Sequence, residues 1–128
     1  MATIKSYTDL EQSKKLAEIL PIESADMRIG NYVGKSGKVD GTNVHYYPKG
    51  ESFGAPEIID AWSLAALLGV LPRKVELEDT AYTIGVSLDS INYSNVNNGN
   101  LLLEVKVKDN LVDACYEVII KLYELKML

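Results

Sequence analysis

His45 is the chain's one histidine and Cys115 its one cysteine. One of each cannot build a Cys/His zinc site; carboxylates could complete one, but no ligand spacing suggests it. A Ser-His-Asp triad can be drawn on paper, since Ser and Asp are common. His45 lies in a strand-like stretch and reads as a residue beside the sheet surface. Cys115 falls on the apolar stripe of the last helix, where a thiol is buried and inert, because reactive cysteines need accessible, electropositive surroundings. Paired carboxylates are the next resource. Glu76, Glu78 and Asp79 cluster before a strand, and Glu57 and Asp60 precede a short helix. General acid–base work needs two carboxyls held at a fixed separation around a substrate. Nothing in their spacing makes a pair converge, so they read as solvated turns. No catalytic residue, metal ligand or cofactor is assigned.

The segment Gly34-Lys35-Ser36-Gly37-Lys38 invites comparison with a phosphate loop. That motif is Gly-x-x-x-x-Gly-Lys-[Ser/Thr], and its first glycine would fall on Ile29, one residue before Gly30. It also needs a helix to follow, whereas a strand follows here. The segment reads as an exposed hairpin loop.

Recognition has better material. The chain has eight tyrosines against one phenylalanine and one tryptophan. Tyr46 and Tyr47 are adjacent, so in a strand they take opposite faces and one of them leaves the core. Exposed tyrosines suit binding surfaces. With Arg28 on the neighbouring strand, a tyrosine can stack a ring while the guanidinium meets a phosphate. Arg28, Tyr46, Tyr47 and Trp62 are the candidate ligand-binding residues.

These residues must be held by a regular framework. Thr8 and Glu11 form a capping-box pattern, which starts a helix with the apolar stripe Leu10, Leu16, Ala17 and Leu20. Pro21 ends it at Leu20 or just before. Residues 25–33 alternate as a strand, Asp40-Gly41 is a turn, and residues 43–47 return, giving a hairpin over 25–47. A second loop, rich in Pro and Gly, spans 48–56, with a helical turn beginning near Pro56. Ser63 caps a short helix, LAALLGVL, that is apolar nearly all round and ends at Pro72; Trp62 packs back on it. Residues 80–88 alternate, with Tyr82, Ile84, Val86 and Leu88 on one face, and Ile91 and Tyr93 extend that strand beyond a bulge. Asn98-Gly99 makes a hairpin with residues 101–108, where Leu101, Leu103, Val105 and Val107 point inward. Asn110 caps a final helix whose stripe is Leu111, Cys115, Val118, Ile119, Leu122 and Leu125. The order is α-β-β-α-β-β-α. It predicts an α+β fold with about four mostly antiparallel strands in two hairpins and three helices on one side.

A length of 128 residues is one domain's worth, so residues 1–128 read as a single α+β domain. Folding buries roughly 65% of the surface of a chain this long, and no staple is needed. The net charge of −5 opposes binding to duplex nucleic acid or to an anionic membrane surface, both of which need clustered positive charge. A lone cysteine fits a reducing compartment. The first residues lack a signal peptide's apolar core, and no apolar run approaches a membrane span of ~20 residues.

Three blocks together carry a resemblance: SYTDLEQSKKLAEILPIESADM at 6–27, AWSLAALLGVLP at 61–72 and ACYEVIIKLYELKML at 114–128. They resemble a family of small proteins from bacteriophages and prophages of gut Bacteroidales. The blocks cover 49 of the 128 residues, and the segments between them are variable in that group. The resemblance implies a phage accessory protein in the host cytoplasm. Small phage proteins often neutralise host immunity, some by sequestering nucleotide second messengers and others by blocking a defence protein. The sequestering kind are commonly oligomers with ligand pockets between subunits, so a homo-oligomer is expected by analogy alone. The expected function is noncatalytic binding of a small anionic ligand or of a host protein. The alternatives are a small hydrolase using His45 and a carboxylate, and a structural or regulatory phage protein.

Overall fold

The computed structural model describes residues 5–31, 44–48 and 57–128. The expected loop 34–42, with its expected Asp40-Gly41 turn, and most of the expected loop 48–56 lie outside them. The chain forms two compact units, Tyr7–Ala66 and Leu67–Leu128 with Met1–Ser6.

In Tyr7–Ala66, helix α1 spans Leu10–Ile19 and is followed by a 3-10 turn at Ile22–Ser24. The N-cap is Asp9, not Thr8, and the capping box closes with Gln12. The register moves one residue because Thr8 is committed inward. Fully buried, it holds Ser13 Oγ at 2.7 Å and accepts from the Trp62 N–H at 3.1 Å. Ser13 accordingly takes an interior place, and Ala17, expected in the stripe, is exposed. Leu16 and Leu20 are buried as expected. Leu20 is extended, the conformation Pro21 imposes on its predecessor.

Strand β1 (Met27–Asn31) is the centre of an antiparallel sheet, with β2 (Val44–Pro48) on one side and β3 (Glu57–Ala61) on the other. The β1–β2 pair is the expected hairpin. β3 occupies the place of the expected helical turn. The residues Glu57-Ile58-Ile59-Asp60-Ala61 carry two adjacent β-branched side chains, which favour an extended chain. α1 packs on β3. Helix α2 (Leu64–Val70) begins at Ser63, whose Oγ accepts from the Ala66 N–H at 3.2 Å. The cap is itself anchored, since the Ser63 hydroxyl and N–H both donate to the Asp26 carboxylate. α2 is less enclosed than its composition suggests: Leu67 is buried, but Leu68 is exposed.

In Leu67–Leu128, strands β4 (Lys74–Leu77), β5 (Thr80–Val86), β6 (Ser90–Ser94) and β7 (Leu101–Lys106) form an antiparallel meander in sequential order. The fold is α+β, with three helices in the expected places and antiparallel pairing throughout. Each expected hairpin is widened, the first by β3 and the second by β4 and a separate β6. Ile91 and Tyr93 stand on β6 because Ser87 makes a tight turn. Its Oγ accepts from the N–H groups of Asp89 and Ser90, at 3.2 and 3.1 Å. Leu88 sits in that turn, exposed rather than inward. The Asn98-Gly99 hairpin forms as read, with Gly99 at φ 74°.

The register puts Val75, Tyr82, Ile84, Val86, Ile91, Tyr93, Leu103 and Val105 on one face. Helix α3 (Leu111–Glu124) packs on it over β6 and β7. Asn110 caps α3, accepting from the Asp113 N–H at 2.8 Å. The helix buries Val112, Ala114, Cys115, Val118, Ile119 and Leu122, while Leu125, expected in the stripe, is exposed. The other face of the sheet carries Lys74, Thr83, Asn92, Ser94, Glu104 and Lys106 and is polar, as the alternation implies.

Candidate functional site

The three-stranded sheet brings two of the four expected recognition residues together. Arg28 of β1 stands opposite Tyr47 of β2 and opposite Asp60 of β3, giving the cross-strand row Tyr47–Arg28–Asp60. Tyr46 stands opposite Ile29, one position along. Arg28 Nε lies 3.7 Å from Asp60 Oδ1, with the two side chains 30% and 17% exposed. That separation is too long for a hydrogen bond but short enough for attraction between charges. Nε itself is buried and has no hydrogen-bond partner. The guanidinium is therefore oriented by a carboxylate without being satisfied by it. An acceptor brought to the row meets an arginine with hydrogen-bonding capacity to spare.

Asp60 is the member that sequence reasoning missed. By sequence alone it stands with Glu57 as an acid beside the short helix. The useful signal was the Ile58-Ile59 pair between them, which marks a strand and so puts Asp60 in register with Arg28.

Trp62 does not belong to this row. Its side chain is 0% exposed, and its indole N–H donates to Ser24 Oγ at 2.9 Å. Ser24 in turn donates to the Pro21 carbonyl at 2.6 Å. A side chain with no open surface cannot meet a ligand, so Trp62 is corrected to a core residue that ties the 3-10 turn to the end of β3.

The candidate chemical groups occupy other positions. His45 is the register partner of Gly30 on β2. Cys115 is buried, and burial pushes its thiol up to about 11, which keeps it protonated and unreactive at neutral pH. Tyr93 is pushed above the ordinary tyrosine range by burial and then by the neighbouring Cys115, and its hydroxyl donates to the Pro72 carbonyl at 2.7 Å. Both are packed core groups. Glu76 pairs with Lys74 at 3.4 Å, and Glu78 and Asp79 form the exposed β4–β5 turn. Among the described residues, no group of three or more His, Cys, Asp or Glu could hold a metal ion. Also among them, no helix is long and apolar enough to cross a membrane.

The near-miss phosphate loop, Gly34 to Lys38, lies outside the described residues. So does Gly50-Glu51-Ser52-Phe53-Gly54, which fits the Gly-x-Ser-x-Gly pattern of a hydrolase nucleophile. That elbow works at a strand-to-helix turn. Here the described elements on either side are the strands β2 and β3, which is the wrong context for it. A depression of about 290 Å³ runs beside Tyr116, Ile120 and Glu124, all on α3. Its walls among the described residues come from a single helix, unlike a ligand pocket with convergent polar groups from several elements.

No family model matches the chain, and no curated protein or solved structure is similar to it.

Proposed function

We propose that this chain is a noncatalytic bacteriophage accessory protein that acts in the host cytoplasm by binding a small anionic ligand of the nucleotide-signal class, thereby blunting a host defence. The row Tyr47–Arg28–Asp60 is its recognition surface. The observation that carries the reading is the state of Arg28. Its Nε is buried without a hydrogen-bond partner, beside a carboxylate and opposite a tyrosine. The Arg28 side chain as a whole is 30% exposed, so the outer N–H groups of the fork, not the buried Nε, donate to a phosphate oxygen, and such a charge-assisted bond is of the strong kind. Tyr47 is the register partner of Arg28 on β2, and tyrosine is a residue type on which bases stack. Asp60 holds the guanidinium in place. The phage context rests on the three sequence blocks, and the packed, protonated Cys115 favours recognition over thiol chemistry.

The test is a thermal-shift panel of linear and cyclic nucleotides on the intact chain, followed by titration of any that raise the midpoint. Binding confined to the folded state stabilises by about 2.7 kcal/mol at a hundredfold excess over the dissociation constant. We expect at least one nucleotide to give such a shift. Arg28→Ala should abolish it, and Arg28→Lys should weaken it, because lysine keeps the charge but loses the planar fork. A panel without a shift, or a shift unchanged in Arg28→Ala, overturns the reading.

A further inference from the structure

The outer edge of β7 has features that the proposed ligand site does not use. Among the described elements, β7 pairs only with β6. The Val107 N–H donates to the Asp89 carbonyl, just ahead of β6, at 2.8 Å. Backbone polar groups alternate sides along a strand, so Leu103, Val105 and Val107 turn theirs toward β6. Glu104 and Lys106 turn theirs toward the outer edge, which no described strand pairs, while Leu102 is skipped by the register beside Ser94. An edge that presents such a row is a template for another strand.

The side chains select which strand. From 103 to 107 the residues read Leu-Glu-Val-Lys-Val. Two copies of β7 can pair antiparallel only in registers that match edge-facing residues with edge-facing residues. Centring the dyad on residue 104 sets Glu104 against Glu104 of the second copy, and centring it on 106 sets lysine against lysine. Centring it on Val105 sets Glu104 against the second copy's Lys106, twice. The same register sets Val105 against Val105 and Leu103 against Val107 on the apolar face. Glu104 and Lys106 are exposed and already attract one another along the strand, at 3.2 Å. A second copy therefore completes an alternating square of four charges. Opposite charges facing each other across strands stabilise a pair, and like charges destabilise it.

We infer that this edge is a self-association site: two copies of the chain join β7 to β7 antiparallel about a twofold axis through Val105, making one continuous eight-stranded sheet. The inference is independent of the ligand reading, because it uses no residue of the Arg28 row.

Sedimentation velocity at micromolar protein concentration tests it. Wild type should sediment as a dimer. Glu104→Lys and Lys106→Glu, each alone, create two like-charge pairs across the dyad and should weaken association by about tenfold or more. The double variant Glu104→Lys with Lys106→Glu restores opposite charges in the Val105 register and should recover the dimer. Its recovery also shows that the single reversals did not act by unfolding the chain. A wild type that stays monomeric overturns the inference. So does a dimer indifferent to both single reversals, since it must use another surface, and so does failure of the double variant to recover.

Discussion

Cys115 and Tyr93 show how burial converts reactive groups into structural ones. Both are weak acids with raised pKa, so each holds its proton more tightly in the folded chain than in the unfolded one. The sign of the consequence follows. Below pH 9, the ordinary value for the thiol, both states keep the proton and Cys115 leaves stability independent of pH. Between 9 and about 11 the unfolded chain ionises while the folded chain does not, and stability falls. The slope approaches 1.4 kcal/mol per pH unit for one such group. Tyr93 adds a loss of the same sign above its ordinary value of 10. Urea denaturation at pH 8, 9, 10 and 11 should show stability declining from pH 9 upward, with a shallower decline in Cys115→Ala. A wild-type profile that stays flat to pH 11 would mean the thiol is not enclosed as described. The same scale explains why Trp62 and Thr8 depart from what local spacing implies. Trp62 and Thr8 carry polar atoms, but those atoms are spent on partners inside the fold, Ser24 for one and the Trp62 N–H for the other. Local spacing does not reveal a partner that lies 38 or 54 residues away.

At the scale of elements, what could be read depended on whether a local rule acts alone. Pro21 after α1, Ser63 before α2, Asn98-Gly99 before β7 and Asn110 before α3 each act within a few residues, and each boundary was legible. The number of strands was not. β3 hides behind acidic ends, and β6 hides because the Ser87 turn contains no Gly or Pro, so its alternation ran on from that of β5. β4 escapes the local pattern for a similar reason. It turns into β5 through Glu78-Asp79, two residues at φ 51° and 64°. A two-residue hairpin with both centres in this region is the kind that favours Asn-Gly, and the native residues hide the signal by departing from it. That departure has a cost, since L-residues with side chains resist the left-handed region. Replacing the turn by Glu78→Asn with Asp79→Gly should raise stability by about 1 kcal/mol, read as a higher urea midpoint at constant m-value. A lower midpoint would show that the two acids do something for the fold that their exposed positions do not reveal. Of the candidate site, the pairing of Arg28's strand with the strand of Tyr46 and Tyr47 was legible from the hairpin. Asp60 was not, because its strand was not.

For the whole molecule, length reads as one domain's worth, and the chain forms two compact units that divide between Ala66 and Leu67. Each has its own sheet and its own helix packed on it, α1 on β3 in one and α3 on β6 and β7 in the other. The Leu67–Leu128 unit has the longer helix, 14 residues against 10, and its core joins Ile91, Tyr93 and Val105 to six buried residues of α3. Apolar burial is the main favourable term in folding, so this unit should open less readily. Native-state hydrogen exchange in increasing urea reads that difference directly. Amides of β6, β7 and α3 should converge on one opening free energy. Those of α1, β1 and β3 should converge on a lower one, by about 1–2 kcal/mol. A single isotherm shared by every strand and helix would mean that the chain opens as one cooperative body, and the division at Ala66 would then have no energetic meaning. Two isotherms would give the Arg28 row a less stable platform than the β7 edge. Ligand binding at the row should then raise the protection of Tyr7–Ala66 first, while association through β7 should raise that of Leu67–Leu128.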